Sequence, residues 1–148
     1  MSTPLIRDSG TPVTLTTANA IANNAYANSA DAMRLEISAL SAAYLLADFC
    51  LTGATFGTAP SGGSVQLIAV DRTPSGTQGP TPSASLLGRV AGTFNPVPST
   101  SNVLTTWTMT INAVPLSADC DYWLYNNGTG YTIASGCTLT ATPWSPGT

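Results

Sequence analysis

The stretch TWTMTINAVPLSADCDYWLYNNGTGYTI, residues 106–133, decides the fold. Over Thr106 to Asn112, Trp107, Met109 and Ile111 alternate with Thr106, Thr108, Thr110 and Asn112, the period of two that a half-buried strand requires. The alternation stops at a turn in VPLSADC, resumes as an aromatic-rich strand over Asp121 to Asn126, and stops again at Asn127-Gly128, a pair that predicts a hairpin-type turn. A last strand follows, with Cys137, Leu139 and Ala141 set against Thr138, Thr140 and Thr142.

Working outward from there, LLGRVAGTF and SVQLIAVD read as further strands, the second with Val65, Leu67 and Ala69 on one face. Loops separate them: GTAPSGG, then Asp71 to Ser83 with three prolines and two glycines, then NPVPSTSN. Residues 13–52 contain neither Gly nor Pro, and Met33, Ile37, Leu40 and Tyr44 recur at helical spacing. Three features favour strands instead. VTLTT is β-branched and alternating, Asn and Ser are poor in helix interiors, and AYLLADFCLTG divides into Tyr44, Leu46, Asp48, Cys50 on one face and Leu45, Ala47, Phe49, Leu51 on the other. NNAYANSADA likewise places Tyr26, Asn28, Ala30 and Ala32 on one face of a strand. Strands joined by Gly/Pro/Ser loops point to an all-β chain, a single β-sandwich over residues 13–148. Residues 1–12, polar with two prolines and a glycine, read as an extended N-terminal arm.

Composition limits what such a domain does. In 148 residues, 7% are charged, against roughly 25% in ordinary soluble domains, and Thr, Ser, Asn, Ala and Gly fill the surface positions. There is no Lys and no His, and Arg7, Arg34, Arg72 and Arg89 are scattered, so no basic stripe exists to neutralise a phosphate backbone and nucleic acid is excluded as an expected partner. No apolar run reaches the ~20 residues of a membrane span, and the first residues lack the regions of a signal peptide, so a soluble protein made without export is expected. Cys50, Cys120 and Cys137 are odd in number and far apart; they read as small core residues in a reduced compartment, with a Cys120–Cys137 cross-strand bridge as the alternative.

Catalytic chemistry is scarce. Without His or Lys, the general-base candidates are mainly seven carboxylates, and the expectation is a non-enzymatic protein with no cofactor and no metal. Asp119 and Asp121 are the sharpest exception, a carboxylate pair or calcium site on one strand face, but turn chemistry for Asp119 and an exposed strand position for Asp121 account for both. Trp107, Tyr122, Trp123, Tyr125, Tyr131 and Trp144 offer either a sugar-stacking platform or core, and their alternation favours core.

The segments INAVPLSADCDYWLYNNGTGYTIASGCTLTATPW, Ile111 to Trp144, and SVQLIAVDRTPSGT, Ser64 to Thr77, carry a resemblance. Val114-Pro115-Leu116, Asn127-Gly128-Thr129-Gly130 and Gly136-Cys137-Thr138-Leu139 match the layout of small tailed-bacteriophage virion proteins of the capsid decoration, or cement, type. Val70-Asp71 stands where that layout has Val-Pro. The resemblance covers about half of the chain. It implies a jelly-roll-like sandwich, location on the capsid exterior after assembly in the bacterial host cytoplasm, the major capsid protein as partner, and a homo-oligomer, dimer or trimer, that clamps capsid subunits and stabilises the shell. The arm and the long loop would then lie across neighbours, which makes Leu5, Ile6, Arg7, Arg72 and Pro74 the candidate partner-binding residues. The alternative on the same fold is a glycan- or receptor-binding module on the tail or capsid surface.

Overall fold

The computed structural model describes residues 7–35, 44–72, 81–82, 88–94, 106–116 and 120–146. Ten strands run through them: β1 (Arg7–Ser9), β2 (Val13–Thr16), β3 (Ala25–Tyr26), β4 (Met33–Leu35), β5 (Leu46–Thr55), β6 (Ser64–Asp71), β7 (Arg89–Phe94), β8 (Thr106–Pro115), β9 (Cys120–Asn127) and β10 (Thr138–Pro146). Among the described residues there is no α-helix, only a 3₁₀ turn at Ser29–Asp31. The chain is all-β, in two antiparallel sheets.

In the first sheet β10 is central. It pairs with β5 along one edge and with β1 and β2, end to end, along the other, and β5 pairs in turn with β8. In the second sheet β9 has the same place, with β6 on one edge, β3 and β4 on the other, and β7 beyond β6. The pairings are nested: β6 with β7, β5 with β8, β3 and β4 with β9, β1 and β2 with β10.

The inward residues are those the alternation selects. Ala47, Phe49 and Leu51 of β5, Leu139 and Ala141 of β10, and Trp107 and Val114 of β8 share one buried cluster with Val65, Leu67 and Ala69 of β6 and Tyr122 and Leu124 of β9. The Phe49 and Tyr122 rings, one from each sheet, meet at 4.9 Å between centroids. Burying each such large apolar side chain contributes about 1.5–3 kcal/mol.

Two local devices let polar residues sit in these strands. Opposite Asp48, β8 carries an extra residue, and Ala113 takes a positive φ of 56°. The Asp48 carboxylate holds that bulge by accepting the Ala113 N–H at 2.8 Å, and it also accepts Trp144 Nε1 at 2.9 Å. Pro143 lies inside central β10, where a missing N–H would normally break a ladder. Its carbonyl accepts the Gly10 N–H at 2.8 Å, so its donor-less nitrogen faces the break between β1 and β2.

Several expectations change. Strands, not a helix, occupy the described part of residues 13–52, but the face expected for Tyr26, Asn28, Ala30 and Ala32 is broken by the 3₁₀ turn. Asn28 causes it: its side chain accepts the Ala30 N–H at 3.1 Å and its carbonyl accepts the Asp31 N–H at 2.8 Å. Asp31 then turns inward, buried, and accepts from Ala18 N at 2.9 Å and Asn19 Nδ2 at 2.9 Å. Asn127-Gly128 does not make a hairpin, because β9 and β10 belong to different sheets; it opens a crossover instead. Buried Asn126 secures that crossover by donating to the carbonyls of Ile21, at 3.1 Å, and Tyr131, at 2.7 Å, while accepting from Thr129. Arg7–Ser9, in the segment read as an arm, lies against β10 as β1; Met1 to Ile6 are outside the described residues.

All three cysteines are free, Cys120 and Cys137 buried and Cys50 half-buried. The Tyr122 hydroxyl is buried beside the Cys120 thiol, a weak partner too poorly placed for a full hydrogen bond. Removing it should therefore cost nothing: Tyr122→Phe is expected to leave stability unchanged or raise it by up to ~1 kcal/mol. Urea melts of the two proteins check this, and a loss of more than about 1 kcal/mol would reveal a bonded hydroxyl.

Candidate binding face

Strand β9 sends Cys120, Tyr122, Leu124 and Asn126 into the core, so Asp121, Trp123, Tyr125 and Asn127 share the opposite, outer face of the second sheet. Register then sets their neighbours. Tyr125 lies between Tyr26 of β3 and Gln66 of β6, and Trp123 lies beside Ile68, which is opposite Val90 of β7.

Two kinds of surface result. Trp123, Ile68 and Val70 form a second buried cluster, with Tyr26, Ala32 and Tyr125 packed on it. Beside it lies a pocket of about 330 Å³ lined by Tyr26, Gln66, Ile68, Gly88, Val90, Tyr125 and Asn127. The Tyr26 and Tyr125 rings pack together, centroids 4.4 Å apart and planes inclined by 30°. Val90 stands 54% exposed at the opposite wall. Gly88 brings the start of β7 close onto β6: a Cβ there would come within 2.7 Å of the Ala69 carbonyl and of Ile68. Among the described residues, neither the Gln66 nor the Asn127 side-chain amide has a hydrogen-bond partner. Burial, with Tyr125 alongside, raises the Tyr26 hydroxyl above the usual phenol range.

At the far end of β9, Asp121 is buried rather than exposed as the sequence led us to expect. Arg72, just past β6, reaches it with Nη2 at 2.9 Å and Nε at 3.1 Å. A carboxylate held this way by a guanidinium belongs to the architecture. Asp119 lies outside the described residues, and no cluster of three or more metal-ligating side chains occurs among those described.

Of the sequence-predicted site residues, Arg7 and Arg72 lie among the described residues. Leu5, Ile6 and Pro74 lie outside the described residues, Arg7 is in β1, and Arg72 is engaged with Asp121. Of the aromatics, Trp107, Tyr122 and Trp123 are buried, Trp107 against Phe56 at 4.7 Å. Trp144 is half-buried on Asp48, and Tyr131 is exposed. Only Tyr125 of that group lines the pocket. Its partners Tyr26 and Gln66 were missed as site residues. The signal for Gln66 was its outward place between Val65 and Leu67, but the pairing of Tyr26 with Tyr125 joins positions 99 apart and has no local signature.

No family model matches this chain, and neither a curated protein nor a solved structure matches it.

Proposed function

We propose that the chain is a jelly-roll-like β-sandwich acting as a non-enzymatic virion cement protein. In this reading it binds the major capsid protein on the capsid exterior as a dimer or trimer, crossing subunit boundaries and stabilising the shell. The nested pairing supports the fold: a long double ribbon closed at β6–β7 and wound into two sheets is how a jelly roll is built.

The observation that carries the function is the outer face of the first sheet. It presents threonines in register across strands: Thr14 opposite Thr140, Thr16 opposite Thr138, and Thr55 opposite Thr106. Their hydroxyls pair at 3.1, 3.4 and 2.9 Å. Exposed Thr108 and Thr110 extend the face along β8. A threonine face whose hydroxyls already bond one another, and whose Asp48 carboxylate already accepts from Ala113 N and Trp144 Nε1, loses little hydration when a neighbour covers it, whereas a face of free charges would have to be neutralised first. That suits a protein which works by being packed against a shell.

Such binding is nearly independent of salt, because screening acts on exposed charges. It raises the temperature at which the shell opens, because the protein binds the assembled state in preference to the free subunits. The test adds the protein back to particles that lack it, at low and high salt, and follows occupancy and shell melting. Full occupancy at both salts with a higher melting temperature is expected. A steep salt slope, or occupancy without stabilisation, counts against the cement reading.

A further inference from the structure

We propose that the pocket on the outer face of the second sheet is a binding site for a neutral saccharide. The site is separate from the threonine face and goes beyond the cement reading.

Three observations select this ligand class. First, among the described residues the lining contains no carboxylate, guanidinium or amine, only two tyrosines, two amides, Ile68, Val90 and Gly88. An anionic ligand such as a phosphate or a uronate would lose its hydration there and meet no counter-charge. Second, the ring of Tyr125 is braced by the Tyr26 ring, centroids 4.4 Å apart, and Gln66 is its neighbour across to β6 in register. A braced aromatic face against a strand surface matches the C–H face of a pyranose, which is apolar on one side and ringed by hydroxyls. Third, the Gln66 and Asn127 amides are unpartnered among the described residues, on the same face of adjacent strands β6 and β9, two residues apart in register. Each offers two donors and an acceptor, the set that reads the donor-and-acceptor hydroxyls of a sugar.

Size agrees with this class. About 330 Å³ is at the small end of ligand pockets, room for one or two sugar rings rather than a folded partner. A purely apolar occupant fits less well, since it would bury both amides without hydrogen bonds. The exposed Val90 wall supplies the apolar contact on the side away from the tyrosines.

Tyr125 is the platform in this assignment, Tyr26 its support, and Gln66 and Asn127 the hydroxyl readers. The test uses the full chain and a panel of neutral mono- and disaccharides (glucose, galactose, mannose, N-acetylglucosamine, lactose, maltose), with glucuronic acid as the anionic comparison. Saturation-transfer NMR and calorimetry read the binding. At least one neutral sugar should bind saturably in the millimolar range or tighter, and glucuronic acid should bind more weakly than glucose. Tyr125→Ala should weaken that binding by about tenfold or more, and Gln66→Ala with Asn127→Ala by a similar factor, while Tyr125→Phe retains it. Melting curves of each variant separate lost binding from lost folding, and Tyr125→Phe keeps the test open if Tyr125→Ala unfolds. No saturable binding by any panel member overturns the proposal, as does undiminished binding by folded Tyr125→Ala or a preference for glucuronic acid.

Discussion

Raising the pH above about 8.5 should unfold this protein steeply, after a plateau in which stability hardly moves between about pH 6 and 8. The plateau follows from the absence of His, since no side chain of ordinary pKa titrates there. The alkaline limb follows from burial. Cys120 and Cys137 are held above the usual thiol range, mainly by desolvation, and Tyr122 is pushed far above the usual phenol range by burial and by Cys120 beside it. A group whose folded pKa is raised contributes its full stability below the unfolded value and loses it as pH climbs from that value to the folded one. Each group then costs up to about 1.4 kcal/mol per pH unit, starting near pH 8.5 for the thiols and near pH 10 for Tyr122. Two thiols and a phenol exhaust a typical margin of about 5–15 kcal/mol within a few units. Melting temperatures under reducing conditions from pH 6 to 11 check this, and Cys120→Ala with Cys137→Ala should move the onset up towards pH 10. An unchanged melting temperature across pH 8 to 10.5 would mean the thiols are not buried as described.

The second large effect belongs to a glycine. Gly63, ahead of β6, has φ of +72°, and a Cβ on it would lie 2.5 Å from Thr129 N and closer still to the Gly128 carbonyl. Two loop backbones meet there, so nothing flexible can give way. Gly63→Ala should destabilise by about 3–5 kcal/mol, from the left-handed conformation and the clash together. Gly62 is the matched control, with nothing within 4 Å and no positive φ, so Gly62→Ala should be neutral or slightly stabilising. Equal stability of the two variants would falsify the close approach.

These two glycines, side by side in GTAPSGG, mark where sequence reading stopped. That the segment is a loop was legible; that one glycine is indispensable and its neighbour is not depends on a crossover some 65 residues later. The strands themselves were legible where one face is buried. Met109 and Ile111 in β8 and Leu139 and Ala141 in β10 point inward as their alternation requires. In β6 the expected face of Val65, Leu67 and Ala69 lies in the core; the burial of Ile68 and Val70 on the other face, beside Trp123, had no signal, because a strand covered on both sides loses its period. Asp121 was misjudged for the same reason: a carboxylate in a strand looks exposed until the guanidinium that neutralises it, Arg72, is brought alongside by pairing of β6 with β9. The pocket residues were visible one by one and invisible as a set, since four strands of a twisted sheet, β3, β9, β6 and β7, supply them.

The place of β10 bears on how the molecule is made. It forms the middle of the first sheet, with Thr14 opposite Thr140 and Cys50 opposite Thr140 on its other side. A ribosome releases residues 138–146 after every other strand described here, so β1, β2 and β5 must wait through synthesis with their inner edges unsatisfied. Closure is then a late, single event over a sequence separation of 126 residues, slow by the rule that links folding rate to loop length. In the interval the nascent chain is an open β-edge, vulnerable to pairing with its neighbours on the same polysome.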